Sequence, residues 1–303
     1  MKKIISAFLA AMLIAVLPAC ESSASGNSLA PGSSDPGSVD TNAGSGSDTP
    51  APQIPEAVTV EEAVLLDEDD IKITAAGFAE NELFGPALKL LIENNSQTDL
   101  TVQVRNASVN GYMTETMMSV DVAAGKKAND SLTFMSSNLE ACGIETVADM
   151  EFQFHIFDSD SWDAYLDSSP ITLTTSAAEN FEYVYDDTGV PVYDGNGIKI
   201  VAKGISEDDS IFGPGLVLYL YNSGGENVTV QARDTSVNGF MITPIFSQDI
   251  LPGKRAIASV TFMSSDLEDN GITEITDIEL SFHIFDADSW NTIVDTDPVS
   301  LTF

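Results

Sequence analysis

From Phe84-Gly85-Pro86 to Asp160-Ser161-Trp162 the chain repeats itself at a fixed offset of 128, closing the second time on Asp288-Ser289-Trp290. Forty of those 79 positions are identical. A period this long is a whole domain and not a solenoid unit of 20–50 residues. The fold is therefore one module built twice, and any function has to be read from that module.

The strands of the module are short and alternating. Val102 and Val104 stand between Thr101, Gln103 and Arg105, and the copy sets Val230 and Ala232 between Thr229, Gln231 and Arg233. Period two with one apolar face predicts half-buried strands. Phe152, Phe154 and Ile156 line one face of a later strand, as do Leu280, Phe282 and Ile284. Asn110-Gly111 and Asn238-Gly239 lie between extended segments and predict type I′ hairpins, since both residues tolerate positive φ. Further turns are expected at Gly125-Lys126 and Gly253-Lys254. One helical turn interrupts each strand set: Ser137 and Glu140, like Ser265 and Glu268, have capping-box spacing, with Gly143 and Gly271 placed to end the turn. The expected fold is all-β: two tandem antiparallel immunoglobulin-like sandwiches, each with one short helix, after a disordered tether. The Cys-Trp-Cys signature of antibody domains is missing, so only the architecture is expected. Each module is large enough to fold on its own core without disulfides.

The organisation ahead of the repeats is an address and a spacer. Lys2 and Lys3 precede an apolar run from Ile4 to Leu17, too short for a membrane span and laid out as a secretory leader. It ends Leu17-Pro18-Ala19-Cys20, which resembles the lipobox of bacterial lipoproteins. That resemblance implies lipidation of Cys20 and cleavage ahead of it; an ordinary secretory leader with an incidental cysteine is the competing reading. Residues 21–54 contain 18 Ser, Gly or Pro and neither Lys nor Arg. Such a segment cannot offset its chain entropy by burial, and as a coil its ends lie roughly 30–35 Å apart. The boundaries read 1–19 for the leader, 20–54 for the tether, 55–176 for the first module and 177–303 for the second with its entry linker.

Charge and cysteine content narrow the partners. Outside the leader ten basic residues face 47 acidic ones, a net charge near −37 that excludes a nucleic-acid partner, whose phosphates need Lys and Arg. Cys142 is the only cysteine besides Cys20, and its counterpart is Asn270, so no disulfide joins a module. Enzyme signatures are missing: there is no Gly-x-Ser-x-Gly elbow, phosphate-binding Gly loop or His-Glu-x-x-His. No enzyme and no cofactor is expected.

Two features are candidate binding elements. His155, Asp158, Asp160 and Trp162, repeated as His283, Asp286, Asp288 and Trp290, can gather at a strand end as an aromatic platform for sugar or peptide. The blander arrangement has Trp162 and Phe157 completing a second apolar layer while the aspartates make turns. Asp158, Asp160 and Asp163 are alternately spaced oxygen donors that calcium would use, but the loop lacks the Gly and distal Glu of an EF-hand and Asp163 becomes Asn291. No metal is expected there. The second feature is the outward row Thr101, Gln103, Arg105 with its copy Thr229, Gln231, Arg233. Arg105 and Arg233 suit bidentate carboxylate reading, although such rows more often serve cross-strand pairing.

Ile92-Glu93-Asn94-Asn95-Ser96 followed by Leu100-Thr101-Val102, on a tethered module, is similar to the immunoglobulin-like domains of unknown function carried by many bacterial lipoproteins. The second copy keeps Asn222 and Val228-Thr229-Val230 but has Ser223-Gly224 in place of Asn95-Ser96. The resemblance implies no catalytic residues. The expected protein is a surface lipoprotein, lipid-anchored on the extracytoplasmic face of a bacterial membrane, whose duplicated modules bind or adhere to an envelope glycan or protein. A structural spacer or assembly factor of the envelope without a soluble ligand is the alternative, and an extracytoplasmic hydrolase comes third.

Overall fold

The computed structural model describes residues 57–206 and 212–303; the leader, Cys20 and the Ser/Gly/Pro-rich segment lie outside the described residues. The first module runs β1 (Ala63–Glu68), β2 (Ile71–Ala79), β3 (Ala87–Asn94), β4 (Leu100–Val109), β5 (Tyr112–Met113), β6 (Thr116–Met117), β7 (Ser119–Val122) and β8 (Lys127–Phe134). Then follow α1 (Ser136–Ala141), β9 (Asp149–Asp158), β10 (Ala164–Asp167) and β11 (Ile171–Thr174). One sheet has the order β1-β2-β3-β8-β6; the other has β10-β9-β4-β5, with β7 also on β4 and β11 also on β9. Ile73, Leu90 and Ile92 of the first sheet pack against Val102, Phe152, Phe154 and Ile156 of the second. The alternation that the sequence displays is thus the alternation of core and surface. The chain changes sheet at β3→β4, briefly at β5→β6 and back at β6→β7, and again at β7→β8 and β8→β9, which makes each module an immunoglobulin-like Greek-key sandwich.

The second module repeats the plan as β12 (Val190–Gly195), β13 (Ile198–Ile205), β14 (Gly215–Asn222), β15 (Val228–Val237), β16 (Phe240–Met241), β17 (Ser247–Ile250) and β18 (Arg255–Thr261). It closes with α2 (Ser264–Asp269), β19 (Asp277–Asp286), β20 (Thr292–Asp295) and β21 (Val299–Thr302). Its sheets have the orders β12-β13-β14-β18 and β16-β15-β19-β20, with β17 on β15 and β21 on β19.

Local signals behave unevenly. Asn110 (φ 48) and Gly111 (φ 79) form the expected two-residue hairpin between Val109 and Tyr112. The side chain of Asn110 adds a second role. Its Nδ2 donates to Thr146 O (2.8 Å), and its Oδ1 accepts from the amides of Ala148 and Asp149 (2.8 and 3.1 Å), tying the hairpin to the start of β9. Gly143 (φ 68) ends α1 in a Schellman motif: its amide donates to Glu140 O (2.9 Å) and that of Ile144 to Leu139 O (2.8 Å). The capping box does not form. Each helix begins two residues earlier than its spacing predicts, with Met135 and Met263 at the N-cap and no side-chain cap, so Ser137 and Ser265 lie inside the first turn. Gly125-Lys126 is a turn, but an arch between sheets, because β7 pairs with β4 and β8 with β3.

The modules also touch. β5 pairs in parallel with β18 through Tyr112 and Arg255, so the second sheet of module 1 continues into the first sheet of module 2. The amide of Arg255 donates to Gly111 O (2.9 Å), and Lys254 pairs with Glu151 (3.2 Å). Tyr112 clusters with Val201 and Tyr219, with Tyr185 and Ile257 around them. The Arg255 guanidinium lies over the rings of Tyr185 and Tyr221, at 3.5 and 4.3 Å from their centroids. Tyr112 shares a face with its pair partner Val109, a residue of the first core. Met113, on the opposite face of β5, packs against the core of module 2. The two cores therefore lie on opposite faces of the joined sheet.

Candidate functional site

The outer face of the β4–β9 pair collects the residues that the sequence singles out. Register sets Thr101 beside Phe157, Gln103 beside His155 and Arg105 beside Gln153. On the flanks, β7 brings Asp121 to Thr101 and Ser119 to Gln103, while β10 brings Asp167 to His155. Thr101 is buried; its hydroxyl donates to Asp121 Oδ1 (2.6 Å) and lies 2.9 Å from Ser159 Oγ. Gln103 Nε2 donates to Ser119 Oγ (3.2 Å). Thr101 and Gln103 thus serve cross-strand pairing, as such rows usually do. Arg105 stands exposed at the end of the row, and among the described residues neither it nor Arg233 forms an ion pair.

Beyond β9 the chain turns on Asp158. Its Oδ1 accepts from the amides of Asp160 and Ser161 (both 2.9 Å), and the Trp162 amide donates to Asp158 O (2.9 Å). The Ser161 and Asp160 amides hold the Asp158 carboxyl below the usual range, which keeps it ionised as the pivot of the turn. Trp162 follows in a left-handed conformation, φ 64, which strains a bulky side chain. Its side chain is 75% exposed and stacks on Phe157, with centroids 5.4 Å apart and planes at 16°. Phe157 is buried and tilts against His155 at 5.4 Å, and His155 Nδ1 meets Asp167 Oδ1 at 2.5 Å. A line Trp162–Phe157–His155–Asp167 results, with one face of the indole covered and the other open.

Module 2 rebuilds it. Trp290 has φ 63 and the same 75% exposure, stacked on Phe285 at 5.5 Å and 18°. His283 meets Asp295 at 2.5 Å, and Thr229 donates to Asp249 at 2.6 Å. Gln231 again reaches its β17 neighbour, Ser247. The Asp286 carboxyl is lowered by the amides of Ser289 and Asp288.

The expected second apolar layer is therefore split: Phe157 and Phe285 are buried in it, while the tryptophans stand outside. Asp158, Asp160 and Asp163 do not form a ligand set. One Asp158 oxygen is committed to backbone amides, and among the described residues no three His, Cys, Asp or Glu side chains gather around a point that would hold a metal ion. Asp167 and Asp295 escape a reading of the sequence, although their signal is present: an aspartate follows each histidine by twelve residues. Cys142 lies at the module junction, where burial pushes its thiol up to about 11 and leaves little thiolate.

Because the two cores lie on opposite faces of the joined sheet, the outer face that bears Trp162 and the outer face that bears Trp290 lie on the same side of it. Among the described residues no helix is long and apolar enough to cross a membrane.

No family model matches the chain, and no curated protein is similar to it in sequence. Solved structures that align with it include the YadV chaperone, 13% identical over 77% of this chain and all of that one, with a TM-score of 0.24. Another is the Salmonella enterica SafA pilin in complex with the SafB chaperone, 12% identical over 72% of this chain and 89% of that one, with a TM-score of 0.19. At those values the neighbours add nothing to the reading of the site.

Proposed function

We propose that this chain is a lipid-anchored extracytoplasmic protein whose two immunoglobulin-like modules bind a partner without catalysis, each through the face centred on its exposed tryptophan. The observation that carries the reading is the pair Trp162 and Trp290. A large aromatic is held in a strained left-handed conformation, with one ring face open to solvent, at the same place in both modules. Strain of this kind costs about 1–3 kcal/mol and persists where surrounding structure enforces it. The open indole face takes flat apolar surface, such as the C–H face of a sugar ring or a peptide side chain. His155–Asp167 and the exposed Arg105 offer polar groups on the same face. Anchorage through Cys20 rests on the leader sequence alone.

The test is binding of the protein to glycan and peptide arrays, repeated with Trp162→Gly, Trp290→Gly and the double variant. Binding that weakens in each single variant and vanishes in the double supports the reading. Array binding that survives the double variant overturns it. The alternative, a structural spacer, is favoured by the built junction around Arg255; it predicts no array ligand and an envelope phenotype that the tryptophan variants leave intact.

A further inference from the structure

We propose that the free hairpin end of module 2 docks onto module 1 of a second copy of this chain, head to tail, in the manner that module 1 already docks onto module 2. Within the chain the contact has a donor end and an acceptor edge. The donor end is Gly111, Met113 and Glu151; the acceptor edge is Lys254 and Arg255. At the offset of 128 the donor end recurs in module 2 as Gly239, Met241 and Glu279, and the acceptor edge recurs in module 1 as Lys126 and Lys127. Every group that makes the backbone bond, the ion pair and the apolar plug thus has a chemical equivalent at the opposite end of the molecule.

Both equivalents are open. Phe240 and Met241, at the place of Tyr112 and Met113, are 46% and 70% exposed, an apolar tip that nothing among the described residues covers. The outer edge of β8 is paired only at Thr133 and Phe134, by β6, so its Lys127 end offers an edge for one more strand. Charge agrees with the match. Lys72, Lys89 and Lys127 share the outer face of that sheet in an otherwise acidic protein, and the hairpin end carries Asp234, Glu274 and Glu279. Lys89 and Lys127 are paired locally, with Glu82 and Glu93.

The copies differ where strength is set. Tyr219, Tyr221 and Ile257, which clad the seat inside the chain, are Leu91, Glu93 and Asn129 in module 1, and Val201, the pair partner of Tyr219, corresponds by register to Thr74, the pair partner of Leu91. The contact between chains is consequently weaker than the one within a chain and depends on local concentration, which a membrane surface raises. Being heterologous, it leaves a free donor end and a free acceptor edge on every dimer, so further copies add to the series.

Cysteine crosslinking in intact cells tests this on the whole anchored protein. In a Cys142→Ser background, a chain carrying both Lys127→Cys and Phe240→Cys should give a ladder of dimers, trimers and higher species with a short bismaleimide. Cells with one variant alone should give none, and co-expression of the two single variants should give a dimer. Lys126→Glu should thin the ladder, and adding Glu279→Lys should restore it. The control pair Tyr112→Cys with Arg255→Cys should close within one chain. Absence of a ladder while that control closes overturns the proposal, as does crosslinking of Phe240→Cys to a different protein.

Discussion

Trp162 and Phe157 stack on each other and do opposite work. Phe157 is 5% exposed and completes the sheet surface, so Phe157→Ala should cost about 3–5 kcal/mol, the usual loss for a buried aromatic. Trp162→Gly removes an aromatic contact worth about 0.5–1.5 kcal/mol and at the same time relieves a left-handed backbone worth about 1–2 kcal/mol. The two nearly cancel, and the melting point of Trp162→Gly should stay within a few degrees of the parent. A drop as large as that of Phe157→Ala would mean that the tryptophan is a packing element and not a platform. Asn110 is a second residue whose weight exceeds its appearance. Asn110→Ala loses three hydrogen bonds to buried or half-buried backbone and forces alanine to φ 48, so thermal or denaturant melts should show a loss of roughly 2–4 kcal/mol.

Among the elements, the β5 hairpin and the strand it meets, β18, form a junction sensitive to alkali. Burial is the main cause that raises Tyr112 and Tyr183 to about 12 and Cys142 to about 11; it also raises Tyr185 and Tyr219, which Arg255 partly offsets. These groups are held neutral in the folded junction, so their contribution is intact below their ordinary values and is lost as pH rises through the folded ones. The junction should open between about pH 10 and 12. Tyrosinate absorbance and small-angle scattering should change together there. Much of this level is legible in the sequence, and the failures are physical. Alternation located the core strands because one face of each is buried, and Asn110-Gly111 located the hairpin because positive φ selects those residues. The capping box fails because Met135 already has extended geometry ahead of the helix, and its carbonyl starts the helical bonds two residues early. The exposed tryptophans were ambiguous because period two places Phe157 outward without saying whether the next aromatic covers it or stands on it. The junction was missed for a different reason. Identity between the copies reports ancestry, whereas Tyr219, Tyr221 and Ile257 are positions where the copies differ.

For the molecule as a whole, both modules keep complete cores of their own, and separate expression of residues 55–176 and 180–303 should give two cooperatively melting proteins. Module 2 alone exposes the tyrosine face that module 1 covers, so it should lose more stability on separation than module 1; an unfolded module would show that the cores depend on each other. Anchorage is testable independently: Cys20→Ala should release the protein from membranes or stall its processing, and a wild-type protein found soluble with an unmodified Cys20 would refute the anchor. The central claim, that each module presents an open indole face to its partner, can be read directly because Trp162 and Trp290 are the only two tryptophans in the chain. Acrylamide quenching of the intrinsic fluorescence therefore reports on both platforms and nothing else. Quenching should be near-complete in the free protein, and the indoles should be protected once a ligand found on the arrays is added. Indoles shielded in the free protein, or quenched equally with the ligand bound, would contradict it.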